Sequence, residues 1–245
     1  LIVAPVVLLE NWASEYAKFF SPQDLKILTL HGKILQNLKL PPEHAEKIPI
    51  PVIQGAERLA ELRRKRGSLD IPQIQKANTI LTNYETVRDY QLDLAQVQWS
   101  VIVLDEAQYV KSPSTLVTNA VKAMQSDFRI ACTGTPIENS MVDLWCITDF
   151  FVPGHLGSAK EFAAEYQAPL KYYSETEIRS LAKKLRNHLG DYLKRRLKED
   201  VLEDLPPKQI AYYSTQMPPI QLESYYGCLE SVQGTANQEG NKRML

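Results

Sequence analysis

Short apolar runs alternate with stretches of helical periodicity along most of this chain, which predicts a parallel sheet with helices on both of its faces. The predicted strands are 1–4 (LIVA), 25–30 (LKILTL), 78–82 (NTILT), 99–104 (WSVIVL), 128–132 (FRIAC) and 209–216 (QIAYYSTQ). Most are near-continuous Ile, Val and Leu, the texture of strands buried on both faces. Between them, Leu8, Leu9, Trp12, Tyr16, Phe19 and Phe20 recur at helical spacing, as do Leu144, Ile147, Phe150 and Phe151; both sets are read as packing faces.

After Pro153 the pattern becomes helical. Ser158 with Glu161, and Ser174 with Glu177, form S-x-x-E capping boxes ahead of apolar repeats, so a helical protrusion follows the sheet. The expected organisation is a lobe over 1–155, a protrusion over 156–208, and a returning edge strand with the start of a further helix over 209–245. Residues 33–76 hold Pro41, Pro42, Pro49, Pro51 and Pro72 around a single short helical pattern and read as a surface insertion.

Composition narrows the chemistry. The 245 residues are 44% hydrophobic and 23% charged, enough apolar material for one substantial domain. The opening LIVAPVVLL is far short of the roughly 20 apolar residues that cross a bilayer, so no membrane partner is expected. The three cysteines are scattered without a CxxC pair, which suits a reduced, cytoplasmic compartment. The four histidines lack metal-ligand spacing. A net charge of −1 supplies no global attraction for nucleic acid. Locally, eight Lys or Arg residues stand against the single acid Asp191 between Arg179 and Lys198; this strip is either phosphate-facing or a solvated helix face.

Two strand ends carry the candidate chemistry. VIVLDEAQ (101–108) delivers Asp105 and Glu106 side by side to the C-terminal end of a buried strand, where α/β sheets place their ligands. Adjacent carboxylates repel and resist burial, so a divalent cation or a polar catalytic task must compensate them. In nucleotide hydrolases one acid supports phosphate-bound Mg²⁺ and its neighbour polarises the attacking water. The plain alternative is that the pair caps the following helix. Some 25 residues on, FRIAC ends in TGTPIEN (133–139). Gly134 there is expected to permit a tight turn, and Thr133 and Thr135 to offer hydroxyls to the same sheet edge.

LIVAP followed by LLENW and the aromatic helix (1–20), TILTNYE (79–85), VIVLDEAQYVKSPST (101–115), TGTPIENSMVDLW with FFVPGHLG (133–157), and KRRLKEDVLEDLPPK (194–208) together resemble the first RecA-like lobe of the Snf-type ATPases, superfamily-two helicase-like motors. The resemblance implies ATP and Mg²⁺ as cofactors, with Asp105 holding Mg²⁺ through water and Glu106 acting as general base. It implies that Gln108, Thr133, Gly134 and Thr135 relay the nucleotide state. Ala4 and Pro5, with Thr82, Asn83 and Tyr84, resemble loops that track double-stranded DNA, and Arg195 and Arg196 resemble a brace toward a second RecA-like lobe. An alternative for those arginines is a surface salt-bridge network with Glu199 and Asp200.

Two departures qualify the resemblance. Gln108 stands where many family members carry histidine, keeping hydrogen-bonding capacity without a titratable group. No GxxxxGK[ST] loop occurs in the 245 residues, so the expectation is a lobe cut from a longer motor and inactive alone. A non-hydrolysing scaffold that kept the fold, and an RNA helicase of the same superfamily, are the rival readings.

Overall fold

The chain was analysed as a computed structural model describing residues 1–21, 23, 25–41, 61, 65–196, 206 and 209–242. Five strands make one sheet: β1 (Ile2–Val3), β2 (Ile27–Leu30), β5 (Thr79–Thr82), β6 (Gln98–Leu104) and β7 (Gln125–Ala131). Their order is β2-β5-β1-β6-β7 and every pairing is parallel, as the alternation of strand and helix demands. Val3 pairs with both Thr82 and Leu104, while Thr82 pairs with Leu30 and Leu104 with Ala131. Four strands therefore end level around β1, and the residues just past them form one edge.

That register continues beyond the strands. Ala4 N donates to Thr82 O at 3.0 Å, Asp105 N to Val3 O at 2.8 Å, and Cys132 N to Leu104 O at 2.7 Å. The chain thus leaves the sheet from a fixed platform, and the side chains that follow inherit its rigidity.

The main core gathers Leu1, Val3, Leu30, Ile80, Ile102 and Leu104 from the strands with Tyr84, Val87, Ile147 and Phe150 from helices. The helix Leu9–Phe19 covers the other face through Leu9, with Leu8, Trp12 and Ala13 beside it. Its apolar stripe stops short of expectation: Phe19 is 77% exposed. Two-sided burial also fails at one end of the sheet. Phe128 is 60% exposed, and Val101 and Ile130 are exposed too, because among the described residues no packed layer covers that face of β6 and β7. An apolar run reports that a strand can be buried, and what lies over it decides whether it is.

The helix Met141–Phe151 serves two cores at once. Ile147 and Phe150 face the sheet, while Leu144, Trp145 and Cys146 join Leu156, Phe162, Tyr166, Leu185 and Leu189 in a second cluster. The protrusion is therefore welded to the lobe, within a unit that runs from Leu1 to Tyr192. Both expected capping boxes form, at Ser158 with Glu161 and at Ser174 with Glu177.

The insertion is rooted more deeply than its prolines suggested. Its described ends pair as β3 (Lys39–Leu40) and β4 (Ser68–Leu69), antiparallel, and Leu69 and Ile74 enter the main core. Gly67 makes this possible: its φ is +81°, and a Cβ there would stand 2.9 Å from Leu40 O. Buried Asp93 accepts from Ser68 Oγ at 2.6 Å and from Leu69 N at 3.2 Å, tying the returning strand to the lobe.

Residues Leu193–Leu245 form a separate unit. The strand expected over 209–216 is absent: residues 209–218 take no regular structure, and a helix spans Pro219–Lys242. Alternation of Ile210 with tyrosines satisfied the period of a strand, but a strand exists only where a neighbour accepts its hydrogen bonds.

Candidate functional site

Asp105 follows directly on β6, and every polar atom described on it is engaged. Its Oδ2 accepts from Trp12 Nε1 at 2.7 Å, its Oδ1 from Glu106 N at 3.0 Å, and its carbonyl oxygen from Tyr84 Oη at 2.7 Å. Charge-assisted donors of this kind hold a carboxylate in one rotamer.

Glu106 is the single non-glycine residue with positive φ among the described residues, at φ 52° and ψ 52°. Left-handed backbone costs an L-residue roughly 1–2 kcal/mol. The turn re-aims the chain within one residue, so that Ala107 N reaches Cys132 O at 2.8 Å and locks the β6 and β7 ends together.

Gln108 then bridges the two motifs. Thr135 N donates to Thr133 Oγ1 at 3.1 Å, Thr133 Oγ1 to Gln108 Oε1 at 2.7 Å, and Gln108 Nε2 to Glu106 Oε2 at 2.7 Å. All three bonds point the same way, toward the Glu106 carboxylate, an arrangement in which each bond polarises the next. Glu106, Gln108, Thr133 and Thr135 thus form one hydrogen-bonded chain, and Asp105 stands beside it, its Oδ1 accepting from Glu106 N. Gly134 corrects its expectation. Its φ is ordinary and a Cβ there would meet nothing within 4 Å, so the turn itself does not call for glycine.

The loop after Thr135 is fixed from below. The Asp143 carboxylate, on the first turn of the Met141–Phe151 helix, accepts from the backbone N–H of Glu138, Asn139 and Ser140 and from Ser140 Oγ. Burial works to raise its pKa, but those four donors outweigh it and hold the carboxyl below the usual range. Lys111 pairs with Glu138 across the gap, joining the DEAQ turn to the same loop. Nothing in the sequence but the N-cap spacing of Ser140 and Asp143 announced this clamp.

Thr82, Asn83 and Tyr84 stand at the same sheet edge as Ala4, but their side chains face protein. Thr82 Oγ1 donates to Leu30 O at 2.9 Å. Asn83 Oδ1 caps the Tyr84–Asp89 helix by accepting from Thr86 N at 3.2 Å, and its Nδ2 donates to Glu85 Oε2 at 2.8 Å. Tyr84 is 1% exposed, stacks on Tyr109 with ring centroids 5.0 Å apart, and has its pKa pushed strongly upward by burial and by Asp105 and Glu106. Ala4 is buried and Pro5 half-buried. Arg195 and Arg196 are exposed in the second unit; Glu199 and Asp200 lie outside the described residues. In the basic strip, Lys184 pairs with Glu165 at 2.6 Å and Arg179 with Glu175 at 3.7 Å, so part of that charge is already matched.

The donors at this edge are all oxygens: two carboxylates, a carboxamide and a hydroxyl. Hard oxygen sets of this kind suit Mg²⁺, which keeps most of its ligands from water and phosphate. Among the described residues no three His, Cys, Asp or Glu side chains form a closed metal cage. No described helix is long and apolar enough to cross a membrane.

A parallel sheet with an acid pair at one strand end, joined through Gln108 to a threonine turn at the next, is the frame of a RecA-like lobe. The model of the SNF2-related domain matches residues 1–244, and the chain belongs to that family. The SWI2/SNF2 ATPase core of Sulfolobus solfataricus, solved in complex with double-stranded DNA, superposes with a TM-score of 0.58 at 30% identity, covering 84% of this chain and 35% of that one. Zorya protein ZorD of Escherichia coli O139:H28 is 40% identical over 208 residues, which are 85% of this chain and 18% of that protein. Human TATA-binding protein-associated factor 172 is 29% identical over 235 residues, 92% of this chain and 11% of its own length. The chain thus spans less than a fifth of these two relatives.

Proposed function

We propose that this chain is the first lobe of an ATP-driven translocase on double-stranded DNA, in which hydrolysis drives tracking along the duplex or remodelling of protein-DNA complexes. The hydrogen-bonded chain from Thr135 through Thr133 and Gln108 to Glu106 carries the reading, since it joins the acid pair to the neighbouring strand end. Asp105 would hold Mg²⁺, which when bound would supply neutralisation of charge on the phosphates. Glu106 takes the proton of the attacking water, and Gln108 fixes the carboxylate that does so. Arg195 and Arg196 brace the path toward a second RecA-like lobe.

Two parts of such an engine are not in this sequence: the GxxxxGK[ST] loop that cradles phosphates, and a partner lobe with arginines for the transition state. Loss of an arginine finger alone costs about 10³–10⁵ in rate, so the 245 residues alone turn over negligible ATP. Duplex contacts go mainly to phosphates, which makes affinity salt-sensitive and indifferent to sequence.

The test is ATP hydrolysis by the longer protein containing this lobe, with and without duplex DNA, beside its Glu106→Gln variant. Stimulation by DNA in the wild type and its loss in the variant are expected. DNA-stimulated turnover by the isolated 245 residues would overturn their inactivity, and an affinity for duplex that ignores ionic strength would overturn the translocase reading.

A further inference from the structure

The two segments read as DNA-tracking loops each send one donor to the same residue. Trp12, from the helix that follows Ala4 and Pro5, donates its indole N–H to Asp105 Oδ2 at 2.7 Å. Tyr84, from the Thr82–Asn83–Tyr84 segment, donates its hydroxyl to Asp105 O at 2.7 Å. These donors come from 93 and 21 residues away in sequence, and one holds the side chain while the other holds the backbone. Tyr84 has no room to do anything else: it is fully buried and stacked on Tyr109.

We infer that Trp12 and Tyr84 are positioning residues through which the DNA-facing segments set the Asp105 carboxylate. This rests on the proposed motor function. A duplex that shifts the helix start at Leu9 moves the Trp12 indole, and the indole moves the carboxylate, because no other described side chain donates to it. The route is separate from the Gln108 relay, which ends on Glu106. It gives the Thr82–Asn83–Tyr84 segment a part at this edge although its side chains are buried. Asn83 holds the Tyr84–Asp89 helix by its cap, and the helix holds Tyr84.

The three tryptophans supply an internal control. All have indole partners, but Trp99 donates to Leu94 O at 3.1 Å and Trp145 to Gly157 O at 3.0 Å, so Trp12 alone reports on a carboxylate. In the 245-residue chain labelled with ¹⁵N-tryptophan, Asp105→Asn should shift the Trp12 indole resonance and leave the other two. Adding duplex DNA to the unsubstituted chain should move the same single resonance. A Trp12 signal indifferent to both changes overturns the inference.

The second arm uses the longer protein. Trp12→Phe removes the donor and keeps an aromatic ring, and Tyr84→Phe removes only a hydroxyl. Each should cut the ratio of DNA-stimulated to basal ATPase by about tenfold, within the range usual for coupled sites, and raise the Mg²⁺ concentration needed for half-maximal rate. Unchanged ratio and Mg²⁺ dependence in both variants, against a wild type that DNA does stimulate, overturn the inference and leave the motor reading standing. A wild type that DNA does not stimulate removes the motor reading itself.

Discussion

Gln108 donates to Glu106 Oε2 and accepts from Thr133 Oγ1, both at 2.7 Å, so one carboxamide joins the ends of two neighbouring strands. Its two ends have opposite polarity, and both are used: the amide N–H donates and the carbonyl oxygen accepts. A histidine at this position could serve both partners in only one tautomer.

That relationship predicts a graded series in the longer protein. Gln108→Ala removes a hydrogen bond to a charged group, worth about 1.5–3 kcal/mol, so kcat falls roughly 10- to 100-fold with little change in KM for ATP. Gln108→Glu sets a second negative charge against Glu106 and should be slower still. Gln108→His should recover activity and introduce a pH dependence near the histidine range, about 6.5. Steady-state kinetics across pH 5.5–8 check all three.

The left-handed backbone of Glu106 makes a different prediction, on stability. Glu106→Ala and Glu106→Gly both lose the carboxylate, but alanine keeps a Cβ in a conformation that glycine adopts freely. The glycine variant should be more stable by about 1 kcal/mol. Urea midpoints of the two proteins give the comparison directly.

Asp143 predicts acid sensitivity. Its folded pKa lies below the unfolded value of about 3.9, so the folded state binds fewer protons and the group contributes stability above that value. The contribution disappears as pH falls through the depressed folded pKa, in a window below about pH 4. Asp143→Ala should cost about 2 kcal/mol at neutral pH by stranding the N–H groups of Glu138, Asn139 and Ser140. Asp143→Asn should cost less and flatten the acid limb. Denaturation followed from pH 2.5 to 7 separates these outcomes.

Asp93 tests whether the insertion is anchored. Removing its carboxylate leaves the Ser68 hydroxyl and Leu69 N–H buried without that acceptor, so Asp93→Ala should destabilise by about 3 kcal/mol and Asp93→Asn by less. Hydrogen exchange should place the loosening at β3 and β4 before it reaches the rest of the sheet.

The alternation of apolar runs and helical repeats determined the parallel sheet, the place of Asp105 and Glu106 at its edge, the Thr133 turn beside them and both capping boxes. Each depends on a few neighbouring residues, since strand periodicity, caps and strand-end position are local or nearly so. Tertiary structure alone decided the rest. Trp12 meets Asp105 across 93 residues, and no spacing rule encodes such a meeting. Glu106 turns left-handed where Ala107 N meets Cys132 O, just past the end of the next strand. Thr82, Asn83 and Tyr84 face inward, Phe128 faces outward, and 209–216 finds no strand to pair with. Burial and hydrogen-bond partnership belong to what packs over a residue, which is why the chemistry of this edge was legible in one dimension and its wiring only in three.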